Sequence, residues 1–295
     1  MAHVATTGID LAYETLGDPS AVPVVLVMGL GTQLIAWPDE LCADLTGRGL
    51  FLVRFDNRDV GLSTHLESAA VPSPIAAFLR LAKPPYSIDD MARDTLGLLD
   101  ALELPSAHVV GVSMGGFIAQ SVALLAPARV RSLTLIMTST GSRLVGHPRA
   151  KVAWRGLRPR PAPSAEAAID AVVESFRRIG SPGFPLDEER LRDLARRSLE
   201  RSDDTAGVFR QLAAVLAQPD RSRRLRALKL PTTVIHGLAD PLVGVSGGRA
   251  LARAIPGARF VVIPGMGHDL PLQVLPRIAD EIGAVVRLGE SRPGA

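Results

Sequence analysis

The sequence predicts an α/β fold: a mostly parallel eight-stranded sheet with helices on both faces and a helical cap inserted after the sixth strand. Three observations carry that expectation. Short β-branched runs alternate with helical patterns through the first half of the chain. Several of these runs are too apolar to show one side to water, as strands buried on both faces are. Between Gly141 and about Leu230 the strand signal stops, and it returns after Pro231. A chain of 295 residues with 47% hydrophobic content is long enough for one large core with an inserted subdomain. The expected division is a core in two parts, residues 1–140 and 231–295, around a cap at residues 141–230.

Residues 3–7 and 9–16, on either side of Gly8, suggest an opening hairpin. Residues 22–28, 50–55, 107–112 and 133–138 read as buried parallel strands. Residues 88–102 carry Ile88, Met91, Thr95, Leu98, Leu99 and Leu102 at helical spacing behind Ser87, and Asp90 completes a capping box. In the insert, helical patterns begin at Ser164 and cover residues 186–199 and 205–216, after a Pro-rich piece at 158–163. The many arginines there read as a solvated face. A strand at 232–236, a helix at 249–255, a strand at 259–263 and a helix at 272–286 complete the core.

The formal net charge is +3, from 33 basic and 30 acidic residues, too small a bias to argue for nucleic acid. Residues 1–14 have no cationic patch followed by an apolar run, so no cleaved secretory signal is expected. Cys42 is the single cysteine and cannot form an internal disulfide, which fits a reducing, cytoplasmic setting. Residues 109–127 contain no charge and have the length of a membrane span. They include Gly111, Ser113, Gly115, Gly116 and Gln120, and read more economically as strand, tight turn and helix, so stable membrane insertion is not expected. No feature specifies an oligomeric state.

The turn within that stretch, Gly111-Val112-Ser113-Met114-Gly115, carries the chemistry. A serine nucleophile must stand clear of the backbone, which requires a sharp strand-to-helix turn with small residues two before and two after it. The following helix N-terminus then directs N–H groups and partial positive charge at the reacting centre. A serine hydroxyl is almost un-ionised at neutral pH and needs a base, and the base needs an orienting carboxylate. The chain order for such an elbow is Ser, then Asp or Glu, then His. Asp240 follows the strand at 232–236 and His268 the strand at 259–263, both at carboxyl ends, where ligands sit in open α/β sheets.

Each assignment has a plainer reading beside it. Asp before Pro241 is a common turn starter, and His268 could be structural. His3 and His108 fall at strand starts, His65 and His147 in connecting or inserted segments, and His236 reads as a packing or hydrogen-bonded residue. Asp269 ranks below Asp240 because neighbouring side chains in a turn rarely aim at each other. An oxyanion hole needs two donors: the N–H of Met114, after the nucleophile, and that of Leu30 in Met28-Gly29-Leu30-Gly31, where the glycines could equally mark a plain turn. No cofactor is implied, since Gly29-x-Gly31 lacks the third glycine of a dinucleotide loop and no Gly-Lys-Ser/Thr occurs. No metal is implied, since there is neither His-Glu-x-x-His nor a cysteine pair.

On these residues the chain resembles the α/β-hydrolase superfamily over essentially its whole length, and within it the serine esterases related to aclacinomycin methylesterase. The matching stretches are Val27-Met28-Gly29, Trp37-Pro38-Asp39-Glu40, residues 55–63 from Phe55-Asp56-Asn57-Arg58 to Ser63, residues 111–116, and Gly265-Met266-Gly267-His268. The resemblance implies Ser113, Asp240 and His268 as a triad, Leu30 and Met114 as backbone donors, and the helical insertion as a cap. The superfamily more often has His where this chain has Met28. Asp56 and Arg58 are expected to brace loops near the pocket rather than bind an anion. The implied partner is a small to medium hydrophobic ester. Thioester, lactone or carbon–carbon hydrolysis and perhydrolysis use the same triad, and a silent ligand-binding scaffold is the rival of a different class. Ser113 at the elbow disfavours the carboxylate nucleophile of epoxide hydrolases and haloalkane dehalogenases.

Overall fold

The computed structural model describes residues 1–6, 8–79, 81, 83–150, 152 and 163–292. Strand β1 (Ala2–Ala5) pairs antiparallel with β2 (Asp10–Leu16), and β2 pairs antiparallel with β4 (Leu50–Phe55). Strands β3 (Val22–Val27), β4, β5 (Ala107–Val112), β6 (Val130–Ile136), β7 (Thr232–Gly237) and β8 (Arg259–Ile263) run parallel. The order across the sheet is β1-β2-β4-β3-β5-β6-β7-β8. Winding reverses direction at β3, so the loops leaving β3 and β5 emerge side by side from paired strands, with Val27 opposite Gly111. Such a switch point opens a crevice at the carboxyl ends of the strands.

Alternation along the strands explains why both faces are covered. Val25, Val27, Val53, Phe55, Val109 and Leu135 point to one side, against α3 (Ile88–Ala101) and α4 (Met114–Leu125). Val24, Leu26, Leu52, Val110, Ile136 and Ile235 point to the other, against α1 (Asp39–Gly47) and α10 (Leu275–Glu290). Between β4 and α3 lies the short α2 (Pro74–Phe78). Between β6 and β7 come α5 (Ala165–Ile179), α6 (Glu188–Arg201), α7 (Ala206–Ala217) and α8 (Ser222–Leu225), with no strand among the described residues. Helix α9 (Ser246–Ala254) joins β7 to β8.

Ser87 and Asp90 close the capping box at the start of α3. The least polar stretch is β5, a one-residue turn and α4, and among the described residues no helix is long and apolar enough to cross a membrane. Boundaries differ where backbone or glycine chemistry intervenes. Strand β6 ends at Ile136 rather than at residue 138, because Met137 has φ +50° and leaves the extended region. Helix α9 starts at Ser246 rather than 249, its first turn hidden from propensity by Gly247 and Gly248. Residues 158–162 of the Pro-rich piece lie outside the described residues, as does Thr7 of the opening strand.

The arginines of the insert correct the expectation of a solvated face. Arg177, Arg190 and Arg192 do lie on the surface, paired with Glu188, Glu40 and Glu166. Arg201, Arg210 and Arg221 are instead buried or nearly so. Core carboxylates draw two of them in: Arg201 pairs with Asp56, and Arg210 grips both oxygens of Asp59 at 2.9 and 2.8 Å.

Candidate active site

Chain must pass from β5 to α4 within one residue, and Ser113 makes that turn at φ +53°, ψ −115°. Such a conformation costs a non-glycine residue about 1–3 kcal/mol and persists only where surroundings enforce it. Here the Ser113 N–H donates to Ile136 O at 2.9 Å, and the Gly116 N–H donates to Ser113 O at 3.0 Å. The flanking glycines are steric necessities. A Cβ at Gly111 would lie 2.2 Å from Gly115 O, and one at Gly115 would lie 2.0 Å from Val27 O.

His268 Nε2 lies 3.0 Å from Ser113 Oγ, and His268 Nδ1 lies 2.7 Å from Asp240 Oδ2. Facing a carboxylate, Nδ1 carries the proton, which leaves the Nε2 lone pair toward the serine hydroxyl; this tautomer follows from the network. The other oxygen of Asp240 accepts the N–H groups of Leu242 and Val243, both at 2.8 Å. The side chains of Asp240 and His268 are 0% and 8% exposed, so their contact is nearly dry. His236, at the end of β7, donates from Nε2 to Val243 O at 2.8 Å and thereby shapes the turn that holds Asp240. Burial pushes the His236 pKa down, against the pull of the Val243 carbonyl and Asp240, so the ring serves this turn as a neutral donor.

The loop after β3 lies against the elbow: a Cβ on Gly29 would be 3.4 Å from Ser113 Cβ. In this loop the Gly31 N–H donates to Gln211 Oε1 at 2.8 Å and the Thr32 N–H to Gly29 O at 3.4 Å. Among the described residues, the Leu30 N–H just before them makes no such bond. Met114 N–H belongs to the first turn of α4, where an N–H has no intrahelical acceptor.

The remaining sequence candidates fall outside this constellation. Asp269 accepts a hydrogen bond from Ser181 of the insert. Asp56 accepts the N–H groups of Leu34 and Leu62 at 2.7 and 3.0 Å and pairs with Arg201. Arg58 binds both oxygens of Asp94 at 2.6 Å and lies 5.0 Å over the Tyr86 ring. These charges are consumed internally, as bracing residues would be. His108 spans Ser132 and Glu290, and His65 spans Gly61 O and Asp204. A cleft of about 540 Å³ opens beside His65, Glu67, Asp204 and Arg210 on the seam with the insert, and none of Ser113, Asp240 and His268 lines it. Of its ionic groups, His65 and Arg210 both pair with Asp204.

Sequence reasoning missed the insert residues that reach into the site. Gln211 is buried and bridges Gly31 N–H to Arg58 O, the latter through Nε2 at 2.7 Å. Gln33 Nε2 donates to Ser198 O at 2.8 Å, and Arg201 Nε donates to Gln33 Oε1 at 2.6 Å. No local pattern marks a glutamine in an amphipathic helix as a core contact.

A sharp strand-to-helix turn carrying Ser113 at the switch point, Asp240 and His268 brought to it from the ends of β7 and β8, and helices inserted after β6 define a class of protein. Residues 22–273 match the family model described as the alpha/beta hydrolase fold, and the chain belongs to that family. It is 33% identical to rhodomycin D methylesterase DauP of Streptomyces sp. (strain C5), over 95% of each chain. Among solved structures it is similar to the enol-lactonase from Burkholderia xenovorans LB400, at 25% identity, with a TM-score of 0.71 covering 97% of this chain and 100% of that one. It is also similar to a thermophilic esterase from Thermogutta terrifontis, at 26% identity, with a TM-score of 0.70 covering 98% and 99%.

Proposed function

We propose that the protein is a serine hydrolase that cleaves carboxylic esters of small to medium hydrophobic molecules through an acyl-enzyme on Ser113. The observation that carries this reading is the unbroken relay from Ser113 Oγ through His268 to Asp240, at 3.0 and 2.7 Å. In the first half-reaction Ser113 Oγ bonds to the ester carbonyl carbon while its proton passes to His268 Nε2. The carbonyl oxygen becomes an oxyanion facing the N–H groups of Leu30 and Met114. As the intermediate collapses, the carbon–oxygen bond to the alcohol breaks and His268 protonates the leaving alkoxide. Water then repeats the sequence: its oxygen bonds to the acyl carbon as His268 takes its proton, the acyl–Ser113 bond breaks as His268 returns that proton to Ser113 Oγ, and the acid departs. Asp240 keeps the imidazole tautomer fixed and balances the imidazolium.

Residues 141–230 act in this reading as a cap over the crevice, which sets substrate shape and water access. The similarity to a methylesterase and to a solved esterase supports an ester substrate, and the similarity to an enol-lactonase supports a cyclic ester as the second reading. A cytoplasmic setting agrees with the buried free thiol of Cys42.

The test is turnover of a chain-length series of p-nitrophenyl esters, with thioester and lactone analogues alongside, by the wild type and by Ser113→Ala. Turnover is expected to fall by about 10⁴-fold or more in the variant. Retention of full activity by Ser113→Ala would remove the nucleophile assignment.

A further inference from the structure

The loop that carries His268 is anchored to the core at Met266, whose carbonyl accepts the Ala239 N–H at 2.9 Å, and is held beyond that point from outside the core. Its residues Gly265, Gly267, His268 and Asp269 each bond to the end of α5 or to the short segment that follows it. The Gly183 N–H donates to Gly265 O at 2.9 Å, and the His268 N–H donates to Ile179 O at 2.7 Å. Ser181 Oγ accepts the Gly267 N–H at 2.8 Å and donates its own proton to Asp269 Oδ1. One hydroxyl thus ties the residue before His268 to the residue after it. The two backbones touch without intervening side chains: a Cβ on Gly267 would lie 2.1 Å from Gly180 O, and one on Gly183 would lie 2.6 Å from Gly265 Cα.

Among the described residues, the hydrogen bonds that His268 itself makes to the core are those of its ring to Asp240 and Ser113. Asp269 is half-buried and spends one oxygen on Ser181, and burial raises its pKa against the hydrogen bonds of Ser181 and the nearby imidazole. A carboxylate kept in that position needs its donor; without it the side chain gains by turning out to water, and the loop turns with it.

Resting on the hydrolase reading above, we infer that Ser181 is a positioning residue, through which the insert seats the His268 ring against Ser113. The general base is then in register only while the segment Ile179–Gly183 lies on its loop. Lifting the insert to admit a substrate withdraws the support, and lowering it restores the base, so closure over a substrate and assembly of the relay become one event.

The experiment compares wild type, Ser181→Ala and Ser181→Thr by the rate at which a fluorophosphonate probe labels Ser113, and by kcat and KM on a p-nitrophenyl ester. Ser181→Ala is expected to lower both the labelling rate and kcat by about tenfold to a hundredfold with KM within about twofold, the scale of a catalytic group displaced by a fraction of an ångström to an ångström. Ser181→Thr keeps the hydroxyl and is expected to stay within about threefold of wild type. Equal labelling of Ser181→Ala and wild type overturns the inference and leaves the hydrolase reading intact, as does equal impairment of the Ala and Thr variants. Should Ser181→Ala not fold, Asp269→Asn gives the same readout, with the same fall expected and unchanged labelling overturning the inference. A wild type whose Ser113 takes no label overturns the hydrolase reading and this inference together.

Discussion

The two sides of the relay are held by different means. On the nucleophile side, Ser113 is fixed by Gly111, Gly115 and Gly116, all within three residues of it, and by the adjoining strands β3 and β6. On the other side, the His268 loop and the loop after β3 are fixed by residues of the insert that lie 86 to 180 positions away: Ser181 on Gly267 and Asp269, Gln211 on Gly31. Asp240 stands between these cases, bonded to Leu242 and Val243 of its own turn. In the proposed mechanism, the nucleophile is presented by the core alone. The proposed base and oxyanion loop are rooted in the core but are also held by the insert, which is where a hydrolase of this build can regulate access and where it can lose activity without losing its core.

The largest effect that sharpens this contrast is expected on the core-held side. Asp240→Asn should keep the fold, because an amide still fills the turn, yet leave the imidazole in the wrong tautomer. A loss in kcat of about 10⁴-fold is expected with an unchanged melting transition. Activity within tenfold of wild type would move the orienting role to another carboxylate.

Arg210→Met tests the insert-held side through stability instead. Arg210 and Asp59 are almost wholly buried, and removing the cation strands a carboxylate in the interior. Chemical denaturation should show a loss of about 3–5 kcal/mol, with activity falling as the insert detaches. A change below about 1 kcal/mol would mean that the insert is anchored elsewhere and would break the comparison.

A smaller, pH-dependent effect is expected at His65. Its Nδ1 lies 2.6 Å from Asp204 Oδ2 and its Nε2 lies 2.9 Å from Gly61 O. Both neighbours are acceptors, so only the imidazolium satisfies both. Burial opposes that charge, but the Gly61 carbonyl and Asp204, with Asp59 beyond, outweigh it and raise the pKa above its ordinary 6.5. A raised folded-state pKa gives stability that is fully present below the unfolded value and is lost as pH rises through the folded one. His65→Gln should therefore lower the melting temperature by about 1–3 °C more at pH 5.5 than at pH 9, a small margin because the site is partly open to solvent. An equal or reversed difference would exclude the charged clamp.

How much was legible beforehand divides along the same line. The elbow could be read from five consecutive residues because strand, turn and helix there are local events, and steric demands select glycine at fixed offsets from Ser113. Asp240 and His268 followed from the order of strand ends. The fate of the charged residues was not legible. Asp56 and Arg58 suggested bracing but not their partners, and Arg201 and Arg210 carried no mark distinguishing them from Arg192 on the surface.

What the sequence by itself determined was the alternation of apolar residues along β3, β5 and β6, the strand order in the chain and the chemistry offered at each strand end, since these depend on neighbours within a few positions. What the tertiary structure alone decided was which helix of the insert lies on which loop, because Ser181 meets Asp269 and Gln211 meets Gly31 only after the chain has closed distances of 88 and 180 residues. Hydrogen-bonding capacity is a property of a residue, but its partner is a property of packing, and a buried donor takes whichever acceptor the fold brings within reach.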